Sequence, residues 1–228
     1  MTPFELVDWP CLNPDGERRE EMALAFDRGR AHRLLVLPAW FDEANKLRRQ
    51  TVEVMRRLDR SGIDCFLPDL PGCNESEALL EEQTIEAWRA AASAAAGHFG
   101  ASHVLTIRAG ALLAPAGLAG WSYAPVAGAK VLRAMLRART IASREAGRSE
   151  RTEDLQTLAR TEGIELAGWR LGAALFSQLE GTEPAKVLTT IRQDDLGGAG
   201  LWLRAEPDED PAQADALAAL LVMGITGA

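Results

Sequence analysis

The 228 residues are enough for one large α/β domain with a substantial core, and 47% hydrophobic with 25% charged residues is the composition of an ordinary globular protein. A net charge of −8 argues against a nucleic-acid partner and against attachment to anionic lipid through a basic patch. Cys11, Cys65 and Cys73 are an odd number without a C-x-x-C pair, which points to free thiols in a reducing, cytoplasmic setting. No basic-then-apolar leader opens the sequence, and its longest apolar stretches are too short to span a bilayer, so no integral membrane segment is expected.

Taken in order, Phe4 to Val7 and Met22 to Phe26 read as short antiparallel strands joined through the turn Asn13-Pro14-Asp15-Gly16. Arg33 to Leu37 is the first clearly buried strand. The loop Pro38-Ala39-Trp40-Phe41-Asp42-Glu43 leads from it to a helix over about 44–60, which Ser61-Gly62 ends. Cys65 to Asp69 is the next strand, and Thr84 caps a helix running to His98. His103 to Ile107 then alternates like a buried strand and passes abruptly, through Arg108-Ala109-Gly110, into an Ala/Leu-rich helical stretch. Gly120 to Val126 reads as a further strand. This alternation of strand and helix from Arg33 to Val126 predicts a doubly wound, mostly parallel sheet.

Between about 128 and 183 the rhythm breaks. Helices are expected over 129–146, 152–161 and 171–180, with a short strand-like piece at 164–169. This reads as a helical insertion of the cap type within a single domain spanning 1–228. Strands are expected again at Lys186 to Arg192 and Leu201 to Ala205, followed by a closing helix over 211–223.

Several of these loops together resemble a known family. They are Asn45-Lys46-Leu47-Arg48-Arg49, Asp69-Leu70-Pro71-Gly72-Cys73-Asn74-Glu75-Ser76, Arg108 to Ala114, Trp121 to Gly128, and Glu165-Leu166-Ala167-Gly168-Trp169-Arg170-Leu171. In this order they resemble the α/β-hydrolase-like proteins of the bacterial exosortase A system, the type called hydrolase 2, over roughly residues 33 to 180. The resemblance implies an α/β-hydrolase fold and a setting in exopolysaccharide production and protein sorting at the cell envelope. The histidine that often follows the first buried strand is replaced by Pro38-Ala39-Trp40.

The chemistry of that fold depends on a nucleophile at the tip of a sharp strand-to-helix turn, followed in sequence by an acid and a histidine. The five turn positions here read Thr106-Ile107-Arg108-Ala109-Gly110, and the tip is an arginine, which stays protonated and offers only donors. His32, His98 and His103 all precede it. With neither nucleophile nor base in place, histidine-assisted acyl transfer is unsupported, and the expectation is a hydrolase-like pseudoenzyme, a non-catalytic binding or accessory protein. The alternative is a hydrolase or transferase of esters, thioesters or acyl groups with an unconventional site, for which Cys73, Ser76 and Ser122 are the available nucleophiles.

Arg108 has three readings: an anion-binding residue beside a helix N-terminus, a structural arginine locked to an acid, or an exposed relic. The candidate pocket comprises Arg108, Ala109, Trp40, Trp121, Asp194 and Asp195, with Trp169 as a further aromatic near the mouth. Asp194 or Asp195 either supplies a carboxylate to pair with Arg108 or belongs to a simple turn over Asp194-Asp195-Leu196-Gly197-Gly198, while Asp208-Glu209-Asp210 reads as a solvated loop. Arg133 and Arg137 share one face of an insertion helix, lining a cap or facing solvent. The expected ligand is small and anionic or sugar-like, and the expected partners are a second copy of the chain or the sorting machinery. No metal site and no cofactor-binding motif is legible.

Overall fold

The computed structural model describes residues 4–12 and 18–227. Its central element is a seven-stranded sheet of β1 (Glu5–Leu12), β2 (Arg18–Phe26), β3 (Arg33–Leu37), β4 (Asp64–Pro68), β5 (His103–Ile107), β6 (Ala119–Tyr123) and β9 (Thr189–Ile191), in the order β1-β2-β4-β3-β5-β6-β9. The first two strands pair antiparallel, β2 meets β4 antiparallel, and every pair from β4 to β9 is parallel. The expected edge hairpin is therefore present, although its turn at Asn13 to Gly16 lies outside the described residues.

Side-chain alternation assigns the helices to the two faces. In β3, Leu34 and Val36 face α1 (Phe41–Arg60) and α7 (Pro211–Thr226), packing with Leu47, Met55, Leu58, Leu217 and Leu221. Leu35 and Leu37 face the other way, into a core with Trp88, Ala91, Ala92 and Ala95 of α2 (Ile85–His98). Thr84 caps α2 by accepting the Ala87 N–H at 3.0 Å, and Asp210 caps α7 ahead of Pro211 at its first turn.

Between β6 and β9 lies the expected helical insertion: α3 (Gly128–Glu145), α4 (Thr152–Glu162) and α5 (Ala173–Gly181). The strand-like piece within it is a hairpin rather than one strand. Its strands, β7 (Ile164–Leu166) and β8 (Trp169–Leu171), turn through Ala167 and Gly168, at φ 51° and 83°. Two successive positive φ values are the signature of the hairpin turn whose twist matches that of the strands it joins.

Two further expectations are corrected. The stretch after β5 is one six-residue 3-10 turn, Arg108–Leu113, rather than an α-helix. Pro115 is the reason, since it drives Ala114 (ψ 121°) out of the helical region. Leu201 to Ala205 is not a strand: Leu201–Leu203 forms a short 3-10 turn, and the sheet ends at β9. Trp202 is committed to side-chain contacts with Tyr123 and Arg108 instead of a ladder. α6 (Gln193–Leu196) is a single short turn following β9.

The β5 exit is held tightly against the β3 exit. A Cβ on Gly110 would lie 2.5 Å from the Leu37 carbonyl oxygen and 2.6 Å from that of Pro38. Both neighbours are backbone, so no rotamer change relieves the clash. Gly110→Ala is accordingly expected to cost about 1–3 kcal/mol by overpacking, read as a lower midpoint in chemical denaturation; an unchanged midpoint would contradict so close an approach.

Candidate functional site

In an open parallel sheet, ligands bind beyond the strand C-termini where the winding direction reverses. Here that point lies between β3, β4 and β5, with α1 and α2 leaving to opposite faces. Arg108, the first residue after β5, occupies it with φ +54°, a left-handed conformation rarely adopted by a residue with a side chain. The sharp turn that would present a nucleophile is thus retained with an arginine at its tip.

The guanidinium is almost fully committed within the protein. Arg108 Nε donates to Glu43 Oε2 at 2.9 Å and Nη2 to Glu43 Oε1 at 2.9 Å, the bidentate fork that arginine's planar geometry favours. Nη1 donates to the Ala124 carbonyl at 2.8 Å, and the guanidinium carbon sits 4.0 Å from the centroid of the Trp202 ring. Arg108 is only 8% exposed. One side chain therefore joins the β5 tip to the first turn of α1, the end of β6 and the C-terminal segment.

The carboxylate that Arg108 takes is Glu43, not Asp194 or Asp195. Both aspartates are exposed on α6, where Asp195 Oδ2 accepts the Arg192 N–H at 2.7 Å and closes the turn on itself. Ala109 is buried directly after the tip. Trp40 is buried on the α2 side, its ring 4.8 Å from that of Trp88 and 6.3 Å from that of Phe41. Phe41 in turn lies 5.6 Å from Trp169, so this aromatic series reaches from α2 to the insertion hairpin. Trp121 is two residues short of the end of β6, against His103 at 5.9 Å, and does not join the others. The expected aromatic wall is divided, and the ring that does cover Arg108, Trp202, was expected in a strand.

The clustered acids and bases near this end are largely engaged with one another. Arg48 reaches Asp69 at 3.2 Å, Arg49 reaches Glu209 at 2.6 Å, and Lys46 reaches Asp42 at 2.7 Å. Asp208 pairs with Arg204, and Asp210 caps α7. The 208–210 loop is thus held by its acids rather than simply solvated.

The histidines lie at the opposite end of the sheet. His32 precedes β3, His103 opens β5 with its ring 6.5 Å from that of His32, and His98 ends α2. Five residue steps along β5 lead from His103 to the tip, about 16 Å of chain. Burial, and after it His32, lowers the pKa of His103.

The candidate nucleophiles are differently placed. Ser122 is buried in the sheet, sharing a 2.8 Å hydrogen bond with Thr106. Ser76 Oγ donates to Glu21 Oε1 at 2.8 Å and accepts the N–H groups of Gly72 and Ala78 at 2.9 and 3.2 Å. Burial raises the Glu21 carboxyl above its ordinary range, partly opposed by the Ser76 hydrogen bond and by Arg19. Tyr123, whose hydroxyl donates to Gln193 Oε1 at 2.5 Å, is pushed up to about 12 by burial and stays a neutral phenol. Among the described residues no group of three or more His, Cys, Asp or Glu could hold a metal ion, and no helix is long and apolar enough to cross a membrane.

Cys73 is partly buried, and its thiol is pushed up to about 12 by burial first and by Asp69 and Glu21 second. A raised thiol pKa leaves the reactive thiolate scarce until the pH approaches that value. Iodoacetamide at about pH 8 should therefore modify Cys73 far more slowly in the folded protein than in urea, because a free cysteine ionises near 8.5. Equal rates in the two states would contradict this environment.

No family model matches the chain, and no curated protein matches it in sequence. Solved structures do match. A protein of Agrobacterium vitis S4 described as a hydrolase superposes with a TM-score of 0.60 at 14% identity, covering 98% of this chain and 100% of that one. The alpha/beta hydrolase domain-containing protein 10 from mouse superposes with a TM-score of 0.60 at 12% identity, with 99% of each chain covered. Identities this low speak to architecture and not to chemistry. The chain has the α/β-hydrolase fold.

Proposed function

We propose that this chain is a non-catalytic binding or accessory protein built on the α/β-hydrolase fold. It acts in the cytoplasm, in the bacterial exopolysaccharide and exosortase setting that its sequence resemblance implies, with a second copy or a component of the sorting machinery as partner. The observation that supports this reading is the Arg108–Glu43 pair, its arginine buried against Trp202 in the place where a nucleophile would stand. A guanidinium does not attack a carbonyl, and the three histidines lie at the other end of the sheet.

A second reading, a hydrolase or transferase of ester, thioester or acyl substrates, is favoured by one contact, the hydrogen bond from Ser76 to the buried Glu21. One experiment separates the two. The protein is treated with a fluorophosphonate, digested and mapped by mass spectrometry, alongside turnover of p-nitrophenyl esters and an acyl thioester. The expected result is no stoichiometric serine adduct and no saturable turnover. A stoichiometric adduct on Ser76, abolished in Glu21→Gln, would establish the second reading instead.

A further inference from the structure

The insertion holds a cleft that is separate from the elbow. It measures about 380 Å³ and lies between α3, the start of α4 and the end of α5. Its size falls within the range of about 300–1,000 Å³ typical of small-molecule sites. The floor is the buried side chain of Leu136, and the rim carries the exposed Arg133 and Arg137, with Thr140, Gln156 and Glu180 around them.

The two arginines have no partner among the described residues; Arg144 and Arg148 of the same insertion are also unpaired there, but of these four only Arg133 and Arg137 line the cleft. Elsewhere in this acidic chain the guanidinium groups are mostly paired: in the same insertion, Arg139 holds Glu150 and Arg160 holds Glu180 through two hydrogen bonds each. Among the described residues, the side chains of Arg133 and Arg137 have neither an ion pair nor a hydrogen bond. They are one turn apart on one helix face, and like charges at that spacing destabilise a helix. Glu180, the one carboxylate in the lining, is turned to Arg160. The cleft therefore presents two unpaired cations over an apolar floor, beside Gln156, which both donates and accepts, and the Thr140 hydroxyl, which donates to the Arg137 carbonyl at 2.9 Å and keeps its acceptor side.

We propose that this cleft binds a small hydroxylated anion, its carboxylate or phosphate held between Arg133 and Arg137 and its hydroxyls by Thr140 and Gln156. The assignment stands whether or not the elbow is inert, because it uses none of the elbow's residues.

Isothermal titration of the full chain with glucuronate and with glucose 6-phosphate, against glucose as a neutral control, tests it. Both cations are exposed, so Arg133→Gln/Arg137→Gln should unfold at the wild-type midpoint. It should also lose at least about tenfold in affinity, whereas Arg18→Gln/Arg60→Gln, an equal loss of charge elsewhere, should bind as the wild type does. Saturable binding of either charged sugar with this pattern supports the site, and the tighter of the two identifies the anion. Three results would overturn it: no saturable binding of either charged sugar, glucose binding as tightly as they do, or equal weakening in the two double variants.

Discussion

The Arg108 guanidinium is the contact that ties together the C-terminal ends of the central parallel strands. It receives both carboxylate oxygens of Glu43 from α1, the Ala124 carbonyl beyond β6, and the face of Trp202 from the C-terminal segment. These elements are distant in sequence and converge only because the sheet reverses its winding between β3 and β5. The left-handed backbone at Arg108 costs of the order of 1–3 kcal/mol. A pair that is 9% exposed on the arginine side and 28% on the glutamate side holds it there. Isolated surface ion pairs contribute about 0–1 kcal/mol, but removing one partner from a buried pair is far more disruptive because the other charge is left uncompensated. The sharp turn is thus present with an arginine at its tip whose side chain is engaged in contacts within the protein.

The insertion meets this arrangement through aromatic packing. Its hairpin places Trp169 against Phe41, extending an aromatic series that begins at Trp88. The clefts of about 380 and 370 Å³ lie among the insertion's own helices and hairpin, and neither is lined by Arg108, Ala109 or Trp40. Whatever binds in these clefts meets residues of α3, α4 and the hairpin, which gives the insertion surface of its own.

The legible parts of the fold were those determined by local pattern. Arg33 to Leu37 and His103 to Ile107 are apolar, β-rich runs bounded by turn signals, and they are β3 and β5 to the residue. Thr84 and Pro211 mark helix starts through chemistry confined to one turn. Illegible were features set by distant partners. Glu43 is 65 residues from Arg108 and reads in the sequence only as part of a loop, whereas Asp194 and Asp195 fall where a triad carboxylate would stand. A clue lay in its position: the β3 exit loop borders the β5 tip in any sheet wound this way. Trp202 alternates with its neighbours as a strand residue should, but its ring is taken by Arg108 and Tyr123, and the backbone turns instead of pairing.

A double-mutant cycle on the pair tests the central claim, that the elbow tip is a structural ion pair. Arg108→Gln, Glu43→Gln and the combined variant would be compared with the wild type by reversible chemical denaturation. Strong coupling, about 2 kcal/mol or more, is the expected result, with the combined variant losing much less stability than the sum of the single losses. Additive losses with coupling near zero would show that the two side chains do not depend on each other, and would contradict the account.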